Sequence, residues 1–371
     1  MKRNSLYIGV WLLLCSMVVG HAESAEPMGE WKNWPDSEIH PDKGGVSGVA
    51  VDPATGDLLV IGRPYRPLVW KSTDQGKTFV AAKGSLAGLP ANSYSLCMDP
   101  AGSRLACFFP RGGGGMVTDG GATLTPFGTV IPTGTVPSTS IDVSTVNQLG
   151  LDVGVVDWGA TGKACLVITH ETHGVLVLST DSGATWKVLG KDFSFPVGIF
   201  DPQTLLVGNS KIGLQRSTDG GATWNKVCDL PKTSLANADS ANGTSIIVYK
   251  GTGYLLTENG LLASQDKGAT WKALGTPVNI GSPPNKFLVS GPFFGADENH
   301  ILLVGMDGVF QTVDRGANWK KVAPYPSTEL NFSNRACFAW DPVHHIVYAA
   351  HSGSAPRICQ LPVLQEPGHK R

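Results

Sequence analysis

"STDGGATW", residues 217–224, sets an aspartate in a tight polar turn and follows it closely with a tryptophan. The octet recurs as "STDQGKTF" (72–79), "VTDGGATL" (117–124), "STDSGATW" (179–186), "SQDKGATW" (264–271) and "TVDRGANW" (312–319). The aspartates of the six copies are Asp74, Asp119, Asp181, Asp219, Asp266 and Asp314, at intervals of 45, 62, 38, 47 and 48 residues. Such a period suits a four-stranded propeller blade. An alternating strand runs into each octet, as in "GVLVLSTD", and another leaves it, as in "TWKVLG", so the octet reads as a hairpin turn. Its carboxylate is suited to accept bonds from the N–H groups of its own turn, its glycine tolerates positive φ, and its aromatic packs between blades. Sixfold repetition around a ring points to a structural role for these aspartates and away from catalysis.

Composition agrees with an all-β fold. Of 371 residues, 42% are hydrophobic, enough for a packed core, and 46 glycines and 25 prolines punctuate a chain with little helix-period patterning. The net charge of −1, with no lysine or arginine run, lacks the basic footprint that nucleic-acid binding requires. At the N-terminus, Lys2 and Arg3 precede "LYIGVWLLLCSMVVG", and Gly20 and Ala22 occupy small-residue cleavage positions. Residues 1–22 therefore read as an export signal, whose apolar run of 15 residues is shorter than the roughly 20 that span a bilayer. Leu14, just before Cys15, argues against lipidation. The mature chain is expected to be secreted or periplasmic, monomeric and without a membrane span. Its cysteines are Cys97, Cys107, Cys165, Cys228, Cys337 and Cys359. Cys97 and Cys107 flank "DPAGSR", which leaves a cross-hairpin pair or two buried thiols open. No cysteine or histidine spacing suggests a metal, and no cofactor is expected: "THETHG" (169–174) is not a zinc helix, and "PRGGGG" (110–115) lacks the strand-to-helix setting of a phosphate loop.

Outward from the octets, "VSGVAVDPATGDLLVIG", "SYSLCMDPAGSRLACFF", "VGIFDPQTLLVG" and "ACFAWDPVHHIVYAA" each give a strand, a turn and a second strand. The predicted order within a blade is A, B, C, octet, D, with octets and A–B turns on one face of the disc. Residues 335–361 supply A, B and C without an octet, whereas "EWKNWP" (30–35) resembles the D strands "TWNKVCDLP" and "NWKKVAP". The N-terminus thus completes a seventh blade and closes the ring, with a six-bladed ring as the alternative. One domain is expected over 23–363, followed by a polar tail, 364–371.

The octet resembles the Asp box, or bacterial neuraminidase repeat, S-x-D-x-G-x-T-W, of sialidases, xyloglucanase-type glycoside hydrolases, the sortilin ectodomain and photosystem II assembly factors. The resemblance covers the mature chain and implies a ligand face opposite the boxes, built from B–C turns and D–A connections. Those turns carry Arg63, Tyr65 and Arg66 in "GRPYRPL", Arg111 in "PRGGGG", His170, Glu171 and His173 in "THETHG", then Lys211, Glu258, Asp307, His351 and Arg357. Arginines present paired donors to carboxylates and sulfates, while His170, Glu171 and His173 are candidates for proton transfer. The expected partner is a glycan, in particular an anionic one, or a protein. The insertion 128–148, bearing Asp142, reads as a long loop over that face. Neither hydrolase motif is present. Tyr348 lies in an apolar strand, Tyr254 with Glu258 is the other tyrosine and acid pair, and the xyloglucanase T-D-x-G-G segment with its catalytic aspartate is replaced by "IGRPYRPLVW". Two functions stay open: carbohydrate recognition with or without cleavage, and a non-catalytic protein-binding scaffold like the photosystem assembly factors.

Overall fold

A computed structural model describes residues 28–34, 46–62, 69–84, 95–109, 113–128, 151–169, 174–229, 245–257, 259–278, 290–305, 307–326, 338–351 and 354–364. They form a seven-bladed β-propeller of four-stranded antiparallel sheets. Blade 1 holds β2–β5 within residues 46–81, blade 2 β6–β9 within 95–126, blade 3 β10–β13 within 151–190 and blade 4 β14–β17 within 194–228. Blade 5 holds β18–β21 within 247–273 and blade 6 β22–β25 within 290–323. Each of these six sheets takes four consecutive strands.

Blade 7 does not. Its order is β1-β28-β27-β26, where β1 is Trp31–Asn33, β26 Phe338–Asp341, β27 Ile346–His351 and β28 Ser354–Gln360. The N-terminal strand therefore supplies the outer strand of the last blade, as "EWKNWP" predicts. Trp31, Lys32 and Asn33 lie opposite Cys359, Ile358 and Arg357. Trp31 Nε1 also donates to the Pro324 carbonyl of blade 6 at 2.7 Å.

The hydrophobic core lies in the seams between blades. Strands alternate, and both faces of a blade are covered, so successive residues serve opposite seams. Val347 and Ala349 pack with Leu302 and Val322 of blade 6, whereas Tyr348 and Ala350 pack with Val46 and Val60 of blade 1. The same alternation settles the cysteines. Cys97 stands opposite Ala106, and Cys107 opposite Leu96, so the two point to different faces of blade 2. Cys97 enters the seam with blade 3 and Cys107 the seam with blade 1. Both are free thiols, as are Cys165, Cys228 and Cys359; Cys337 lies outside the described residues. The glycine run of blade 2 is also largely strand: Gly113–Gly115 belong to β8 (Gly113–Thr118), and a Cβ at Gly114 would meet Phe127.

Seams depend on the octet glycine. In all six octets this residue has φ between 81° and 96°. At Gly183 of blade 3, a Cβ would run into the ring of Phe127, which arrives from the outer strand of blade 2 and stacks edge-on against Trp186, with centroids 5.5 Å apart. Gly183→Ala is expected to lower stability by about 2–4 kcal/mol, combining the left-handed backbone penalty with overpacking. Urea unfolding followed by circular dichroism checks this; an unchanged midpoint would contradict the seam geometry.

Candidate functional site

The octet hydrogen bonds tie up the turns of one face of the disc. Ser217 donates to Asp219 Oδ1 at 2.8 Å and accepts from the Gly221 N–H at 2.8 Å. Asp219 Oδ1 accepts from the Thr223 N–H at 2.9 Å, and Oδ2 from the Thr223 hydroxyl at 2.6 Å. The pattern repeats around Asp74, Asp181 and Asp266. In blade 6, Thr312 and Asn318 stand in for the serine and threonine around Asp314. The bonds favour the ionised form. Asp74 is held at about 2, chiefly by the Thr78 N–H, and Asp219 and Asp266 at about 2, chiefly by the hydroxyls of Thr223 and Thr270. The Thr185 hydroxyl lowers Asp181 in the same way. Burial opposes the shift at Asp314, but its bonds keep it below the usual range. Carboxylates so held are poor proton donors near neutral pH.

Blade 2 departs from the pattern. Val117 offers no hydroxyl, Asp119 takes φ 56°, and residues 119–121 wind into a 3-10 turn.

The A–B turns share this face, as expected: Gly120, Ser182, Gly220 and Arg315 of the octets donate backbone N–H groups to Ser103, Lys163, Gln203 and Asn299. A second aspartate series ends the innermost strands: Asp52, Asp99, Asp157, Asp201, Asp297 and Asp341. Each accepts N–H groups of its own turn. Several of these turns also reach a neighbour. Ser103 N–H of blade 2 donates to Asp52 of blade 1 at 2.8 Å, and Lys267 of blade 5 bonds Asp201 of blade 4 at 2.8 Å. Four members announce themselves as Asp-Pro dipeptides, the signal that sequence reading used only to locate turns.

On the opposite face, the connection between blades 3 and 4 touches B–C turns on both sides: Phe193 N–H donates to the Gly174 carbonyl and Asn209 Nδ2 to the Asp192 carbonyl, each at 3.1 Å. Lys211 is exposed at the tip of the blade 4 turn, with its N–H bonded to Asn209 Oδ1 at 3.0 Å. Asp307 is exposed in the blade 6 turn. Arg357 is not in a turn. It lies within β28, opposite Ala349 and Asn33, with a buried Nε that has no hydrogen-bond partner. His351 is the last residue of β27. Arg63, Tyr65, Arg66, Arg111, Asp142, His170, Glu171, His173 and Glu258 lie outside the described residues. Among the described residues, no hydrogen bond or ion pair joins Lys211, Asp307 and Arg357 to one another.

Both tyrosines are committed to packing. Tyr348 is fully buried with its ring centroid 5.2 Å from that of Trp34, and burial drives its phenol far up. Tyr254 is likewise buried and raised by burial, and its charged neighbours are Arg315 and Glu298 on the octet face. Burial also pushes the Cys97 thiol up to about 11 and Cys359 up to about 12, leaving them inert. No group of three or more metal-ligating side chains occurs among the described residues. No helix among them is long and apolar enough to cross a membrane.

No protein-family model matches the chain. In sequence it is 29% identical over 169 residues to the dispase autolysis-inducing protein of Streptomyces mobaraensis, covering 44% of this chain and 40% of that protein. It is 29% identical over 172 residues to the xyloglucanase Xgh74A of Acetivibrio thermocellus, covering 40% of this chain and 20% of that one. It is 24% identical over 340 residues to a xyloglucanase of a Paenibacillus species, covering 84% of this chain and 29% of the relative. The chain thus spans well under half the length of each of these relatives. In structure it resembles YCF48 bound to a D1 peptide, with 12% identity, 92% of this chain and 97% of that one covered, and a TM-score of 0.50. The chain therefore shares its propeller fold with YCF48 and stretches of its sequence with xyloglucanases.

Proposed function

We propose that this chain is an exported, Asp-box propeller that binds carbohydrate, with the ligand on the face of B–C turns and D–A connections. The similarity to xyloglucanase over 340 residues carries the ligand class. The octets, whose bonded carboxylates are occupied with their own turns, support the choice of the opposite face. The cationic turns Arg63, Arg66 and Arg111 suit an anionic glycan. The reading is recognition in preference to cleavage, because residues 61–70, which replace the xyloglucanase acid-bearing segment, contain no aspartate or glutamate.

The test is affinity electrophoresis of the purified chain through xyloglucan, pectate and heparin, with product analysis in parallel. Retardation without new reducing ends is expected. Arg63→Ala with Arg66→Ala should weaken binding roughly tenfold, the loss of a charge-assisted contact, without moving the unfolding midpoint. Failure of every glycan to retard the protein would overturn the proposal, and capture of a stable peptide ligand on the same face would replace it with the scaffold function.

A further inference from the structure

We propose that the A–B turn of blade 7 is an acid-sensitive latch on ring closure, in which protonation of His345 loosens the seams of blade 7. The turn runs from Asp341 to Ile346, and together with Trp340, which precedes it, touches three parts of the ring. Towards blade 1, a Cβ on Gly56 would stand 2.6 Å from His344 Nδ1 and 2.8 Å from Asp341 Oδ1, so the two turns are in direct contact. Towards blade 6, Gly295 packs against Trp340 and the Cβ of His300. Within blade 7, the Leu361 N–H donates to the His345 carbonyl at 2.8 Å, and Gln360 Nε2 to the His344 carbonyl at 2.8 Å. Those two donors end the segment that carries β28, on which the closing strand β1 is paired.

His345 sits in the middle of this junction with φ 57° and a buried Nδ1 that has no hydrogen-bond partner. The ionisable groups around it are Asp341 and His344 of its own turn and His300 of blade 6, while blade 1 contributes the Gly56 backbone. Asp341 is the one acid of the group, and it is already engaged: Oδ1 accepts the N–H groups of Val343 and His344, and Oδ2 bonds His344 Nδ1 at 2.7 Å. A proton added to His345 therefore gains no ready acceptor and faces two further imidazoles. Burial first, then His300, holds the His345 imidazole below its ordinary range. A depressed histidine contributes stability that is present above its unfolded value, about 6.5, and is lost as pH falls through the folded one.

Hydrogen exchange of the full chain at pH 7.5 and pH 5.5, corrected for intrinsic exchange rates, reads the latch directly. Amides of β1 and β28 are expected to exchange roughly tenfold faster at the lower pH, as uptake of a proton on opening requires, while blades 3 and 4 keep their protection. His345→Asn, which tolerates the left-handed backbone and does not titrate, should abolish the difference, and His300→Gln should diminish it. Equal protection at both pH values, or a difference that survives these substitutions, overturns the proposal; should His345→Asn fail to fold, His300→Gln decides alone.

Discussion

Trp34→Ala is expected to lower the stability of the ring by about 3–5 kcal/mol, the range for removing a buried tryptophan from a packed core. The side chain is buried, with its ring centroid 5.2 Å from that of Tyr348 and 6.3 Å from that of Phe79. Its position explains why the effect reaches beyond one blade. In blade 3 the octet tryptophan, Trp186, donates its indole N–H to the Gly183 carbonyl at 3.0 Å. The blade 1 octet ends in Phe79, which has no such donor, and Trp34 bonds the equivalent Gly76 carbonyl at 3.1 Å. The residue that follows β1 thus completes the octet of blade 1 while its own strand completes blade 7. Ring closure is made twice over, once through the β1–β28 ladder and once through this indole. Trp34→Phe keeps much of the packing and loses the hydrogen bond, so its cost should be nearer 1 kcal/mol. Urea midpoints by far-UV circular dichroism separate the variants, and equal midpoints for wild type and Trp34→Ala would remove Trp34 from the closure.

The features legible in the sequence are those with a period. Six octets placed six turns, and the blade without an octet exposed the role of "EWKNWP", because a D strand carries the same pattern whichever end of the chain supplies it. Register was not legible. A shift of one residue sends a side chain to the opposite seam, and nothing in "SLCMDPAGSRLACFF" fixes whether Ala106 or Cys107 stands opposite Cys97. The placement of Arg357 has the same cause: "SGSAPR" has the composition of a turn, yet Ser354 already begins β28. The candidate site was legible only as a set of turns on one face. What those turns do to one another depends on side chains from different blades, which sequence spacing does not relate. Of the ligand-face residues, Lys211 shows the limit: its turn is built by Asn209, and its charge is left in solvent.

Below pH 4 the protein should lose stability steeply, with the octet carboxylates as the cause. Asp74, Asp219 and Asp266 titrate near 2 in the folded chain against an ordinary 3.8, and Asp181 and Asp314 are lowered as well. For a carboxylate depressed on folding, the unfolded state binds protons first as pH falls. Its contribution is therefore complete above the unfolded value and disappears as pH drops from about 4 towards 2. The five act in parallel around the ring, so the losses accumulate over one narrow interval. Asp219→Asn retains an acceptor for the Thr223 N–H and no longer titrates. It should be less stable at pH 7 and show a shallower decline between pH 4 and 2. Asp119→Asn is the control, because Val117 leaves its octet without the hydroxyl that organises the others. It should leave the decline unchanged. Urea midpoints measured from pH 7 to pH 2 test both, and an Asp119→Asn curve flattened as much as that of Asp219→Asn would mean that acid acts on the octets through net charge alone.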